Sequence, residues 1–156
     1  MFRLVVLLFS HGAALAVGFA LGIYLLPILI APDAPDAAML QSQAQGARYS
    51  GEFVRELKGS DFLHWGEGKV SLTSGAIAHE GSLAPGPDYK LYLVKQFVEN
   101  EDEFLPLKST SALVGDVKTF KGFLLDIPAG VDIEEYTTVL VWCETFGEFI
   151  TAAKYK

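Results

Sequence analysis

The sequence has a single cysteine, Cys143, among its 156 residues. An intramolecular disulfide is therefore excluded, and so is a zinc site that takes several thiolate ligands. A lone thiol in an oxidising compartment is packed in the core, bound to a ligand, or paired with another chain. The sequence alone leaves these three alternatives open.

Charged residues are absent from residues 4–31, and almost all the charge of the chain follows this run. A helix of this length would measure about 42 Å and would cross a hydrocarbon layer of roughly 30 Å with some tilt. Arg3 precedes the run, and Asp33 and Asp36 follow it. Since positive charge stays on the cytoplasmic side, we expect the N-terminus inside the cell and the remaining chain outside, in a periplasm or at the cell exterior.

A cleaved secretory signal is the alternative interpretation of this run. The apolar region of such a signal is about 7–15 residues long, and this run is much longer. Pro32 would directly follow a cut after Ala31, which is unfavourable, although the small residues further along leave cleavage open. We therefore predict an uncleaved signal-anchor helix over residues 1–31, with the membrane contacted through residues 4–31.

Gly18 and Gly22 form a GxxxG pair within the apolar run. This spacing allows two helices to approach closely in lipid and would permit a homodimer. Small residues are also common in membrane helices that do not pair, so the spacing is compatible with both interpretations.

Basic residues are scarce outside the apolar run. The net charge is −7, and residues 48–156 contain 11 Lys or Arg against 17 Asp or Glu. A nucleic-acid-binding surface must be basic to replace phosphate counterions, so we expect no nucleic-acid partner. Adhesion to anionic lipid through surface charge is disfavoured for the same reason.

Catalytic signatures are lacking as well. The sequence contains no serine-centred nucleophile elbow, no HExxH zinc motif, no phosphate-binding loop and no dinucleotide fingerprint. These absences give no basis for predicting a classical enzyme.

Residues 32–47 are rich in Ala, Pro, Gln and Asp and lack an apolar stripe, which predicts a flexible or partly helical tether. From residue 48 onward the apolar residues recur with period two in short segments bounded by Gly, Pro, Asp or Asn. The segments with this strand pattern are residues 50–57, 69–73, 76–83, 88–95, 116–127, 137–144 and 149–155. Because no crossover helix separates them, they predict an all-β antiparallel sandwich or barrel over residues 48–156. The helical candidate within this region is a single turn at residues 132–136.

Three stretches share motifs with a known family. They are LHWGEGKVSL around His64, PGPDYKLYL around Asp88, and LVGDVKTFKGFLLDIPAGVDIEEYTTVLVWCETFGEFITAAKYK at the C-terminus. On these motifs, residues 49–156 resemble the DM-thirteen domain family, also labelled electron transfer DM and thought to be related to the DOMON β-sandwich domains. The resemblance implies a DOMON-like sandwich outside the cytoplasm with a redox, electron-transfer or ligand-binding role. DOMON relatives bind haem or sugars, so the resemblance also implies haem as a cofactor or a sugar as a ligand. Copper is a further hypothesis because a soft thiolate favours copper or iron, and the acidic surface or exposed aromatic residues suggest a protein or glycan partner.

Cys143 and His64 are the candidate cofactor ligands. A thiolate or an imidazole can bind copper or haem iron, and His64 matches a histidine often seen in the first motif of the family. The competing interpretations are structural. Cys143 shares a strand face with Val139 and Val141, which predicts a core position, and His64 lies in a predicted loop. Both interpretations stand for each residue.

Trp65, Trp142, Pro87 and Asp88 are further candidates. The two indoles suit stacking on a sugar or a flat cofactor, or packing in the core. Trp142 lies on the opposite strand face to Cys143, so we expect one of these two side chains to be exposed or at an interface. Asp88 suits a role as a metal ligand or hydrogen-bond acceptor, whereas a turn would use Pro87 to set φ and Asp88 to bond to the local backbone.

Two other positions carry expectations about the surface. His79 is flanked by Ala78 and Glu80 in an alternating segment, and we expect it to be exposed. The acidic run at residues 99–103 lacks the spacing and the glycine of a calcium loop, so we expect a solvated hairpin tip.

These observations favour a membrane-anchored extracytoplasmic module with a redox or ligand-binding role, with Cys143 and His64 at its site. The alternative is a structural or interaction domain without a cofactor, in which Cys143 packs in the core and the surface binds a protein or a glycan.

Overall fold

The computed structural model describes residues 1–156. The chain begins with helix α1 (Phe2–Ile30), in which no residue is buried and Pro27 lies near the C-terminal end. The most apolar part of α1 has a mean hydropathy of 2.4, and α1 is the one helix long and apolar enough to cross a membrane. It is a candidate single-pass anchor, as the uncharged run predicts.

A second helix, α2 (Ala37–Gln45), occupies the segment predicted to be a flexible or partly helical tether. The Asp36 carboxylate caps it by accepting a hydrogen bond of 2.7 Å from the Ala38 N–H. Leu40 is only 5 % exposed, and its Cδ1 lies 3.1 Å from where a β-carbon on Gly122 would stand. The segment is therefore helical and docked on the domain. Because Leu40 is the one buried residue of α2, the sequence has no apolar stripe from which the docking could be predicted.

Eight strands follow the two helices, one more than the seven predicted segments. They are β1 (Tyr49–Phe53), β2 (Gly66–Leu72), β3 (Ala76–Leu83), β4 (Tyr89–Val94), β5 (Ala112–Val117), β6 (Phe123–Asp126), β7 (Thr138–Cys143) and β8 (Glu148–Lys154). Sheet A has the order β1-β2-β3-β6, and sheet B has the order β5-β4-β7-β8. All neighbouring strands are antiparallel. The predicted antiparallel β-sandwich is confirmed.

The core lies between the two sheets and follows from the period-two alternation of the strands. Side chains at every second position of both sheets face one another there. The innermost members of this core are Val70, Leu72, Ile77, Leu91, Leu93, Val139, Val141 and Ile150. The opposite faces of the strands need separate cover, and sheet B receives it from a segment that the sequence did not reveal.

This cover is helix α3 (Glu101–Phe104), which continues as a 3₁₀ helix over Leu105–Thr110. Asn100 begins α3, since its Oδ1 accepts a hydrogen bond of 2.9 Å from the Glu103 N–H. The Glu101 carboxylate accepts one of 3.0 Å from the Phe149 N–H. The expectation of a hairpin tip at residues 99–103 is therefore wrong. The run starts a helical layer, because its acidic residues suit the first turn of a helix.

The predicted strand at residues 116–127 is two strands in different sheets. β5 ends at Val117 in sheet B, and β6 begins at Phe123 in sheet A. The residues between them turn at Gly122, which has a φ of +83°, and the Thr119 hydroxyl donates a hydrogen bond of 2.6 Å to the Gly122 carbonyl. The pattern of apolar residues in the sequence does not show that the chain changes from one sheet to the other here.

The strand registers bring four connections to one end of the sandwich. The start of β4 at Tyr89 faces both the end of β5 at Val117 and the end of β7 at Cys143. The start of β2 likewise faces the end of β3. We call this the Cys143 end; it comprises residues 54–65, 84–88, 118–122 and 144–147. The far end carries residues 73–75, 127–137 and the C-terminus.

His79 is buried in the core, so the expectation that it is exposed is wrong. It lies on the same face of β3 as Ile77, with its ring centroid 5.1 Å from that of Phe53 and 5.0 Å from that of Phe123. Its Nε2–H donates a hydrogen bond of 3.0 Å to the Glu67 carbonyl, and its Nδ1 has no partner. The parity with Ile77 was the sequence signal that could have found this position.

We predict that Leu40→Ala undocks α2. Truncation of a buried leucine costs about 2–5 kcal/mol, and Leu40 is the buried residue of this helix. Hydrogen exchange and limited proteolysis should show residues 37–45 opening while the strands stay protected. Met39→Ala is the matched control, because Met39 is exposed. Equal protection of α2 in the two variants would contradict the prediction.

We also predict that the domain loses stability in acid through His79. Burial lowers the pKa of His79 from 6.5 to about 4. Because the unfolded chain binds this proton first, the free energy of unfolding falls as the pH drops from about 6.5 to about 4, by about 3 kcal/mol in total.

Chemical denaturation across this pH range measures the loss. His79→Gln should flatten the acid limb because it removes the titrating group, whereas His64→Gln should retain it because His79 stays in place. An acid limb of the same slope in His79→Gln would rule out this assignment.

Candidate functional site

Cys143 is the last residue of β7 and is 3 % exposed. It packs in the core with Val139 and Val141, as the strand parity predicts. Its thiol donates a hydrogen bond of 3.1 Å to the Pro87 carbonyl. Burial raises the pKa of the thiol, so the sulfur stays protonated at neutral pH and is a poor nucleophile in this arrangement.

The loop above Cys143 is held in place by Asp88. This residue has a φ of +52°, a left-handed conformation that aspartate tolerates better than most residues. Its carboxylate lies 2.9 Å from Lys90 Nζ and accepts a hydrogen bond of 3.3 Å from the Thr145 hydroxyl. Its carbonyl accepts one of 3.1 Å from the Glu144 N–H. The loop is thus fastened to the β7–β8 turn.

The structure brings three of the candidate residues together: Cys143, Pro87 and Asp88. Their contacts are not those of the local turn that the sequence suggested, since Asp88 bonds to groups across the sheet. The pairing of β4 with β7 causes this arrangement. It places the two residues before β4 against the last residue of β7.

Tyr89 is a member of this site that sequence reasoning missed. It is the cross-strand partner of Cys143, is buried, and meets the Phe120 ring edge-on with centroids 6.0 Å apart. Burial raises the pKa of its phenol. Gly86 lies so close to the Tyr89 hydroxyl that a β-carbon has no room there. The sequence signal for this close approach of the Tyr89 ring to the backbone was Gly86, which lies between two prolines.

His64 has a partner of its own in the β1–β2 connection. Its Nδ1 lies 3.1 Å from the Asp61 carboxylate, and the same carboxylate accepts hydrogen bonds from the Leu63 and His64 N–H groups. This is the local loop structure of the structural interpretation. None of the hydrogen bonds or ion pairs of His64 reaches Cys143.

The face of Trp65 is occupied by Arg55. The guanidinium carbon lies 3.4 Å from the indole centroid, and the Arg55 Nε donates a hydrogen bond of 2.6 Å to the Glu67 carboxylate. An indole face covered by a paired arginine is not open for stacking on a sugar or a flat cofactor.

Trp142 is 1 % exposed, so the expectation that either Trp142 or Cys143 is exposed is wrong. The two side chains lie on opposite faces of β7, and both faces are covered. The Phe104 ring packs on the indole with centroids 5.0 Å apart, and Lys108 Nζ lies 5.4 Å from its centroid. Trp142 therefore belongs to the apolar layer under α3.

The residues present do not fit a haem or copper cofactor. No three His, Cys, Asp or Glu side chains are grouped as metal ligands, and the thiol of Cys143 is bonded to a carbonyl. A cavity of about 1000 Å³ lies between the second half of α1 and the Cys143 end. Its lining contains no histidine, cysteine or methionine, which are the usual axial ligands of haem iron.

We predict that the thiol of Cys143 is alkylated slowly, and that its reaction rate rises only at a pH above that of an ordinary thiol. The reason is that burial disfavours the thiolate, which is the reactive form. The measurement is the rate of iodoacetamide labelling against pH, followed by mass spectrometry. Gly75→Cys supplies an open reference thiol in the β2–β3 turn, where a side chain meets nothing. Equal rates for the two thiols at neutral pH would contradict the buried geometry.

The family to which the β domain belongs is shown by comparison with known proteins. The family model described as Electron transfer DM13 matches residues 56–155, more than half of the chain. No curated protein and no solved structure matches the chain significantly. The matched region includes the Pro87–Asp88 loop and Cys143 and leaves out α1 and α2, and the resemblance found in the motifs is confirmed. The chain belongs to the Electron transfer DM13 family.

Proposed function

We propose that this chain is a redox accessory module of the cell envelope, anchored by α1 and facing away from the cytoplasm. The observation that carries the proposal is the match of the β domain to a family described as Electron transfer DM13. Arg3 in the first turn of α1 and the two aspartates after the helix support the outward orientation. The length of the apolar run, which exceeds the apolar region of a cleaved signal, supports the role of α1 as a signal-anchor. The kinship of the sandwich with DOMON domains forms part of the proposal.

Cys143 is the residue on which we place the redox chemistry. A thiol exchanges electrons with a disulfide without a metal, which agrees with the absence of a ligand cluster around it. The sulfur of its thiolate attacks one sulfur of a partner disulfide. A new S–S bond forms, and the other partner sulfur leaves as a thiolate that takes up a proton. One partner sulfur is reduced to a thiol, the other is held in the mixed disulfide, and Cys143 is oxidised.

The Pro87–Asp88 loop would control this exchange. In the closed arrangement the thiol donates to the Pro87 carbonyl and is shielded from solvent. Release of the Asp88 contacts with Lys90 and Thr145 would open the loop and hydrate the sulfur, and the thiolate would then become accessible. The closed site would thus protect the thiol from random oxidation until a partner opens the loop.

A second candidate function is a structural or interaction domain in which Cys143 is only a core residue. The burial of Cys143 and the raised pKa of its thiol favour this alternative. Its surface would then contact a protein or a glycan, and Cys143 would be replaceable by a side chain of similar volume.

We predict that the full chain in its native membrane forms a mixed disulfide through Cys143. Acid quenching followed by alkylation and non-reducing electrophoresis would trap the species. Cys143→Ser should abolish it, and Thr145→Ala, which removes one contact of the loop, should increase it. The chain purified from the same membranes should give an absorption spectrum without a haem or copper band.

A cysteine that stays fully reduced under oxidising conditions in both the natural chain and Thr145→Ala would overturn the redox proposal and support the structural one. A stoichiometric metal or a haem band that disappears in Cys143→Ser would instead replace thiol exchange by cofactor chemistry.

A further inference from the structure

The chain passes from α1 into the domain at the Cys143 end. Leu40, near the start of α2, contacts Gly122 in a loop of that end. The residues after α2 reach the far end, where the Arg48 N–H donates a hydrogen bond of 2.8 Å to the Leu72 carbonyl. α2 therefore runs along sheet A from the Cys143 end to the far end. Its N-terminus, and the anchor that precedes it, lie at the Cys143 end.

The free connection between the two helices is short. Only residues 31–36 separate the end of α1 at Ile30 from the start of α2 at Ala37. Six residues reach about 21 Å when fully extended. Because α2 is docked on the sandwich through Leu40, it adds nothing to this reach. The Cys143 end is thus held within about 21 Å of the last turn of the anchor.

The length of α1 brings the Cys143 end and the bilayer surface closer still. A helix of 29 residues is about 43 Å long, which exceeds a hydrocarbon layer of roughly 30 Å by about 13 Å. In an upright helix whose Arg3 lies at the cytoplasmic edge of the hydrocarbon layer, this excess puts about the last two turns in the opposite headgroup layer. These turns, together with residues 18–22 before them, line the cavity of about 1000 Å³, whose other wall is the Cys143 end.

Exposed apolar side chains distinguish the loops of the two ends. The Cys143 end presents Phe62, which is 85 % exposed, Phe146, which is 50 % exposed, and Leu63, which is 40 % exposed. The β4–β5 connection, which leaves and re-enters sheet B at the far end, presents Phe97 at 39 % and Leu105 at 52 % exposed. The other loops of the far end, residues 73–75 and 127–137, present no large exposed apolar side chain. They carry the ion pairs of Glu134 with Arg48 and Lys156 instead. Aromatic side chains are favoured at the membrane–water interface.

The loops of the Cys143 end carry as many basic as acidic residues, four of each, and several of these charges are paired. Lys90 Nζ lies 2.9 Å from the Asp88 carboxylate and 2.7 Å from that of Asp116, and Lys118 Nζ lies 3.6 Å from Asp116. Such a surface offers anionic lipid little attraction. Contact with a membrane through this end would depend on apolar insertion and would be insensitive to salt.

We propose that the Cys143 end of the sandwich rests on the surface of the bilayer that holds α1, with Phe146 and Phe62 inserted into the interfacial layer. The occupant of this surface is the lipid bilayer itself. The inference rests on α1 being inserted, and it is independent of any redox role of Cys143. The sandwich stands upright on the membrane with its far end towards the solvent.

The test uses the full chain, one copy per nanodisc of zwitterionic lipid, with a spin label at one of two positions. Phe146→Cys places the label at the Cys143 end, and Gly75→Cys is the matched control in a turn at the far end. Cys143 stays in place in both, and the labelled parent chain gives its background. The readout is the relaxation of the label by oxygen, which partitions into lipid, against relaxation by a water-soluble nickel chelate.

We expect the label at position 146 to favour oxygen and the label at position 75 to favour the nickel chelate, with no change at high salt. A label at 146 that is as open to nickel as the label at 75 would overturn the proposal. So would protection from both reagents, which would indicate cover by protein, or a loss of the oxygen preference at high salt.

Phe62→Cys provides a second position if Phe146→Cys fails to fold, and its label should give the same preference for oxygen. A chain that does not assemble into nanodiscs would overturn the anchor together with the orientation. The redox proposal for Cys143 is measured separately by disulfide trapping, so its failure and the failure of this orientation are distinguishable.

Discussion

Strand β7 is buried on both of its faces, and the rest of the domain is arranged to cover them. One face presents Val139, Val141 and Cys143 to the core between the sheets. The other presents Leu140 and Trp142, and no second sheet is available there to cover them. Burial of an indole and its neighbours contributes several kcal/mol, so a cover for this outer face is strongly favoured. The chain forms this cover from the β4–β5 connection, which folds back over sheet B.

The chemistry of Cys143 follows from this two-sided burial. A thiol on a strand packed from both sides cannot be hydrated from either face. The open end of the strand is the remaining approach, and the Pro87–Asp88 loop closes it. The site is therefore one thiol behind one loop, in an apolar setting that raises the thiol pKa. Any reaction of this residue depends first on the movement of that loop.

Local patterns predicted the long apolar helix, the sandwich and the strand face on which Cys143 lies, since each depends on the residues within single segments. The expectations about exposure were wrong where a side chain is covered by residues from a distant part of the chain. Trp142 lies on the strand face opposite Cys143, and His79 stands next to Glu80, which suggested exposure. However, α3 covers the first, and the rings of Phe53 and Phe123 enclose the second. The docking of α2 depends on Leu40 alone, and one apolar residue does not form a periodic pattern from which docking could be predicted. Within the site, Cys143, Pro87 and Asp88 could be nominated singly, but their contact required the pairing of β4 with β7.

The short connection over residues 31–36 also determines how the domain would meet other molecules. With α1 in a bilayer, the domain moves with its anchor and explores a thin layer above one membrane surface. An encounter with a partner in the same membrane is then a two-dimensional search, and its rate is set by the number of molecules per unit area. Lengthening this connection would thicken the layer and dilute the domain, although every contact within the sandwich would be unchanged.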